Sequence, residues 1–250
     1  MMKSFNQKAS TAFAIYRSLI AVLICLGLWG CKTYHPMEEA NQALQGSDTV
    51  DVSEDSRGIY FQPNTPATTG FIFYPGAGVK PGAYAPMALS LAEAGFTSAI
   101  AKFPLNLAVL AANRADAIRA QLAGVERWVI GGHSLGGVMA AQYLDENRED
   151  GDLEGLILMA AYPSNSNDIS DLELPVLSLY ASEDQLTKPQ DVLNTQDLLP
   201  TNSAFIEIPG GNHAQFGWYG PQDGDGAALI SRQDQAQLIL DQVLLLLSLL

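Results

Sequence analysis

Histidine and cysteine are in short supply: three histidines and two cysteines in 250 residues. Two cysteines make no disulfide framework. The histidines, at 35, 133 and 213, make no ligand cluster, so neither a metal nor a cofactor is expected. Basic residues are few as well, 13 against 27 acids, for a net charge of −14. Such a chain repels phosphates. That excludes nucleic acid as a partner and argues against electrostatic docking on anionic lipid. An uninterrupted apolar run of the ~20 residues that cross a bilayer is also missing. The stretches 19–29 and 243–250 are each too short, and Asp241 and Gln242 interrupt the second. No internal repeat or low-complexity tract is evident, so one domain is expected at this length. Its mean hydropathy is +0.08, which suits a chain with a full core.

The first 30 residues have the layout of a signal peptide. Lys3, Lys8 and Arg17 form a positive start with no acid, and LIAVLICLGLW at 19–29 forms an apolar centre. Leu28-Trp29-Gly30-Cys31 resembles the lipobox of bacterial lipoproteins. The resemblance implies cleavage before Cys31, lipidation of that cysteine and attachment to a membrane of the bacterial cell envelope, with a mild preference for the outer one. The alternative is an uncleaved signal anchor with Cys31 buried. Removal of the leader takes away 3 basic residues, so the mature part carries (13 − 3) − 27 = −17. Residues 31–56 are polar, acidic and aperiodic. They are expected to be a tether, with a short helix at 37–44, and the domain is expected to span 57–250.

Within that domain, strand-like and helix-like segments alternate. Strands are expected at 58–62, 70–74, 96–101, 127–131, 155–161, 175–181 and 204–208. Helices are expected at 83–94, 107–122, 135–147, 190–198 and 231–250. The strands are near-continuous apolar runs, as in a parallel sheet covered on both faces. The fold class is therefore α/β. The last helix is expected to pack on the sheet.

Gly132-His133-Ser134-Leu135-Gly136 matches G-x-S-x-G between a strand and a helix. A nucleophile on so tight a turn needs glycine two places before and after, because side chains there would collide. The helix N-terminus points free N–H groups at the serine. Serine needs a base, and the base an orienting acid. His35 falls in the expected tether, and His133 is locked in the elbow pointing away from the serine. His213, in a loop after the last strand, is the remaining base. The acid should follow strand 175–181, where Asp184 is preferred for its shorter side chain and Glu183 is the runner-up. One oxyanion donor would be the Leu135 amide. The other is assigned to Ala77 in Tyr74-Pro75-Gly76-Ala77-Gly78, with Gly76 and Gly78 as alternatives.

In these residues and their order the chain resembles the α/β-hydrolase superfamily, over residues 58–250. It is also similar to a subgroup of small bacterial members. There a YPGA loop, a Lys-x-Pro-Leu-Asn segment (residues 102–106), GGHSLGG and GGNHAQFG recur. The resemblance implies the α/β-hydrolase fold and Ser–His–Asp hydrolysis, and a carboxylic ester cleaved through an acyl-enzyme is the leading expectation for the substrate. Thioester or amide cleavage and acyl transfer use the same parts, and a degenerate hydrolase serving as an envelope binding module is the rival from another class. Residues 162–174 leave room only for a loop where members of the superfamily carry lids. No cap domain is expected, so the site should be open to solvent or to a large ligand. Gln215, Phe216, Trp218 and Tyr219 either rim the site or pack against the final helix. Lys102 either meets an anionic substrate group or forms a structural salt bridge.

Overall fold

The computed structural model describes residues 32–250, and Tyr34–Leu250 form one compact unit. The leader and Cys31 lie outside the described residues. Eight strands build one sheet: β1 (Val50–Glu54), β2 (Gly58–Pro63), β3 (Thr69–Tyr74), β4 (Thr97–Ala101), β5 (Arg127–His133), β6 (Leu153–Met159), β7 (Val176–Ala181) and β8 (Ala204–Ile208). Their order is 1-2-4-3-5-6-7-8. Strands β3 to β8 run parallel, whereas β2 is antiparallel to both β1 and β4. The apolar runs have the placement that their composition demands. Every residue of β3, β4 and β7 is buried, while Val50 alone is buried in edge strand β1.

Among the described residues, six α-helices accompany the sheet: α1 (Glu38–Ala43), α2 (Ala85–Glu93), α3 (Arg114–Gln121), α4 (Leu135–Glu146), α5 (Pro189–Leu193) and α6 (Arg232–Leu247). Helices α1, α2 and α6 cover one face through residues such as Ala43, Leu91 and Val243. Helices α3 and α4 cover the other through Ile118, Ala140 and Tyr143. Full burial of a side chain such as Ile118 contributes about 1.5–3 kcal/mol. The last helix packs inward as expected, with Ile239, Val243, Leu246 and Leu247 buried at helical spacing. Among the described residues, no helix is long and apolar enough to cross a membrane.

Two expectations need correction. The tether assigned to residues 31–56 is part of the folded unit from Tyr34 onward. Tyr34 bridges Val79, Ala40 and Ala43 of α1 are buried, and β1 adds an antiparallel edge to the sheet. A few buried residues hold the segment, too few to print a period on it. The helix expected at 107–122 is broken into a 3-10 turn at Ala108–Leu110 and α3. Here a tertiary contact overrides helix propensity. The buried Tyr74 hydroxyl donates to the Ala112 carbonyl (2.6 Å) and accepts from the Ala115 N–H (2.9 Å), which pins the start of α3 to the end of β3.

The connection between β6 and β7 carries no helix or strand. Arg148 pairs with Asp171 of this loop at 2.9 Å and Asn167 donates to Asp145 at 3.0 Å, so it lies pinned to the end of α4. Among the described residues, no cap domain stands over the sheet. The chain leaves β3 toward β4 on one side and leaves β5 toward β6 on the other. The connections that follow adjacent strands β3 and β5 therefore part at their carboxyl ends, where an open α/β sheet forms its crevice.

Candidate active site

Ser134 stands at that crevice, between the end of β5 and the start of α4. Its φ of 53° and ψ of −127° are strained for a residue with a side chain. Its hydroxyl does not cap α4 and has no hydrogen-bond partner among the described residues. The flanking glycines explain how the turn closes. A Cβ on Gly132 would come within 2.6 Å of the Tyr74 carbonyl oxygen, and one on Gly136 would overlap the carbonyl oxygens of Tyr74 and Pro75. The elbow is thus pressed against the backbone at the end of β3.

That same backbone turns into the loop 75–80. Gly76 N–H donates to the Tyr84 hydroxyl (3.1 Å), and Gly78 N–H donates to the Asn106 carbonyl (3.0 Å). Both alternatives for the second oxyanion donor are therefore occupied. The Ala77 amide between them has no partner among the described residues. Leu135 opens α4, so its amide has no acceptor within the helix.

Asp184 and His213 meet on the other side. The His213 Nδ1 lies 2.7 Å from Asp184 Oδ2, and both residues are at most 1% exposed. The other carboxylate oxygen accepts the Leu186 and Thr187 amides at 2.8 and 2.7 Å, which fixes its direction. Nδ1 faces a carboxylate and carries the ring proton. Nε2 is left as the basic nitrogen. Glu183 does not reach the imidazole. Its side chain accepts from the Ser182 hydroxyl at 2.9 Å.

The two sides touch through His133, whose ring centroid is 4.4 Å from that of His213. His133 is buried and stacks on Phe216 at 5.5 Å. The Tyr84 hydroxyl, which accepts from Gly76, also shares a hydrogen bond with His133 Nδ1, 2.9 Å away. Burial holds the phenol pKa well above its ordinary value, so it remains a donor. His133 Nε2 has no hydrogen-bond partner among the described residues. Burial first, and then the neighbouring His213 ring, lower the His133 pKa well below 6.5, against a smaller opposite pull from the His213 backbone. His133 is thus a neutral strut between the loop at 75–80, the elbow and the histidine loop.

Several residues that hold His213 leave no mark in the sequence. Asp225 accepts the His213 amide (3.3 Å) through one oxygen and the Ala214 amide (2.8 Å) through the other. Gln235, fully buried on α6, accepts the Asn212 amide (3.0 Å) and donates to the Asn212 carbonyl (2.9 Å). Gln215 donates to the Ile230 carbonyl at 3.1 Å. Of the two alternatives for these aromatic-rich residues, inward packing holds for Gln215, Phe216 and Tyr219, which are buried. Trp218 lines a cavity of about 190 Å³ between α2 and α6, whose walls include none of Ser134, Asp184 and His213. Lys102 takes the structural alternative, pairing with Glu54 at 3.1 Å and donating to the Asp55 carbonyl at 2.8 Å.

A family model described as the alpha/beta hydrolase family matches residues 70–237. No curated protein matches the chain. Among solved structures, a predicted CIB-like hydrolase from Thermoplasma acidophilum superposes with a TM-score of 0.58 at 14% identity, covering 78% of this chain and 98% of that one. Thermogutta terrifontis esterase 2, phosphoramylated by tabun, gives 0.57 at 15% identity, covering 79% and 94%. At such identities the likeness is one of fold.

Proposed function

Since the chain belongs to the α/β-hydrolase family, we propose that it is a serine hydrolase of carboxylic esters, with Ser134 as nucleophile, His213 as general base and acid, and Asp184 as the orienting carboxylate. The observation that carries this reading is the buried 2.7 Å His213–Asp184 pair, set against the elbow. His213 takes the Ser134 proton as Oγ attacks the ester carbonyl. The oxyanion is held by the Leu135 and Ala77 amides. Collapse expels the alcohol, which leaves with the proton from His213. Water, deprotonated by His213, then attacks the acyl-enzyme, and the carboxylic acid departs as Ser134 regains its proton. Ser134 and His213 share no hydrogen bond here, which is common before substrate arrives. Cys31 carries the lipid that attaches the chain to the cell envelope, preferentially at the outer membrane.

Fluorophosphonate labelling read by intact mass tests the catalytic assignment. The full chain should gain one adduct, Ser134→Ala none, and Asp184→Asn should label about 10⁴-fold more slowly. A folded parent that does not label overturns the reading and favours a binding module.

A further inference from the structure

The folded unit begins on the site itself. Tyr34 donates its N–H to the Gly78 carbonyl (2.9 Å) and accepts from the Lys80 N–H (3.0 Å), so it lies along the proposed oxyanion loop. Met37 N–H donates to the Trp218 carbonyl at 2.8 Å, and the Tyr34 ring is 5.4 Å from that of Tyr219. The entering chain therefore crosses between the loop after β3 and the loop after β8, at the carboxyl edge of the sheet. Cys31 precedes Tyr34 by three residues, a span of at most about 11 Å when fully extended. A membrane anchor on Cys31 would hold the start of the folded unit within about that distance of its attachment point.

The same edge carries exposed leucines and valine. Of the large hydrophobic side chains exposed among the described residues, five follow strand ends at this edge: Leu105, Val109, Leu110, Leu186 and Leu229. Leu105 is 81% exposed and has a φ of +54°, a left-handed conformation that disfavours leucine. Its neighbour Asn106 holds the loop at 75–80 through the Gly78 amide. On the opposite side, the Leu186 amide binds Asp184 and the Leu229 amide binds the Gly210 carbonyl. Exposed leucines thus flank the crevice on both sides, on segments bonded to the site. No cap domain screens them. With −17 charges on the mature chain, anionic headgroups are repelled and a neutral lipid surface is the compatible one.

We infer that the carboxyl edge of the sheet, with Leu105 and Leu229 on its two flanks, faces a neutral lipid bilayer and that the site takes acyl esters held in that bilayer. The inference rests on the lipid anchor at Cys31 and on the hydrolase reading. It gives the short span 32–33 a purpose, which is to keep Ser134 at the surface where such esters present their carbonyls.

The test uses the full chain in phosphatidylcholine vesicles. Turnover of a long-chain ester embedded in the vesicle is compared with that of a short soluble ester. A flexible insert of roughly 20 Gly/Ser residues between Thr33 and Tyr34 should lower the embedded-to-soluble ratio tenfold or more. Leu105→Gln should lower the ratio severalfold. If the acylated, active chain keeps its ratio in both variants, the orientation is wrong. If intact mass finds no lipid on Cys31, the anchor fails and the inference with it. If the parent does not turn over the soluble ester, the hydrolase reading itself fails.

Discussion

At the elbow, Gly132 and Gly136 sit against the backbone of Tyr74 and Pro75, and Ser134 is held by what cannot fit beside it. At the histidine loop the reverse applies. His213 is held by what bonds to it: Asp184 on its ring, Asp225 on its amide and Gln235 on the adjacent Asn212. One side of the site is positioned by steric exclusion between short-range neighbours. The other is positioned by polar side chains drawn from three separate segments. The two sides should therefore fail differently.

Gly136→Ala should have the largest effect. A methyl group there overlaps two carbonyl oxygens that belong to a buried strand end, so nothing flexible can give way. A cost above about 4 kcal/mol is expected, comparable to the whole stability of many domains. Soluble yield should collapse. Gly124→Ala is the matched control, because a Cβ at Gly124 meets nothing within 4 Å. Its melting temperature should stay near the parent's. Equal tolerance of both substitutions would remove the steric account of the elbow.

Gln235→Leu should come next. It keeps the volume on α6 and removes both bonds to the Asn212 backbone. Buried groups left unpaired cost about 1–3 kcal/mol each. Amide exchange at residues 212–215 should accelerate, while exchange at 132–138 stays slow. Acceleration of equal size on both sides would mean that the loop and the elbow open as one unit, and the comparison would break.

The same difference decides what could be read from the sequence. Steric exclusion leaves a local signature, so G-x-S-x-G pointed to Ser134 and its two glycines directly. Asp184 and His213 could be ranked because strand order fixes where each loop emerges. Asp225 and Gln235 could not be found. They lie 12 and 22 residues beyond His213, in an acidic loop and on an ordinary helix, and only folding brings them together. Of residues 34–56 the short helix at 37–44 was legible, and the remainder was not, for a related reason. Strand β1 is an edge with Val50 as its one buried residue, so no alternation marks it. The break in the helix at 107–122 depends on the hydroxyl of Tyr74, some 38 residues away.

His133 joins the two regions, and its protonation offers a smaller, graded test. Its folded pKa lies well below the unfolded value of 6.5, because burial and the His213 ring disfavour the charge. Above pH 6.5 neither state binds the proton, and the full stability is present. As pH falls below that value the unfolded chain takes up a proton that the folded one refuses, so stability declines. One such proton tilts the free energy by up to about 1.4 kcal/mol per pH unit. His133→Asn keeps a hydrogen-bonding group beside the Tyr84 hydroxyl and removes the titration. Denaturant midpoints measured from pH 7 downward should fall less steeply in the variant. Parallel curves would place the pH sensitivity elsewhere.

Lys102 should matter least, and that makes it the sharpest check on where the site ends. It follows β4 at the same carboxyl edge as Ser134, so position alone would permit contact with an anionic substrate. Its amine is instead spent on Glu54 and the Asp55 carbonyl, between the β1–β2 hairpin and the end of β4. Glu54 is 64% exposed, so the pair is screened by water and contributes about 0–1 kcal/mol. Lys102→Met should lower the melting temperature slightly, and added salt should shrink the difference. The rate ratio between an anionic and a neutral ester should not move. A tenfold shift in that ratio would put Lys102 in contact with substrate and extend the site across β4 toward the edge of the sheet.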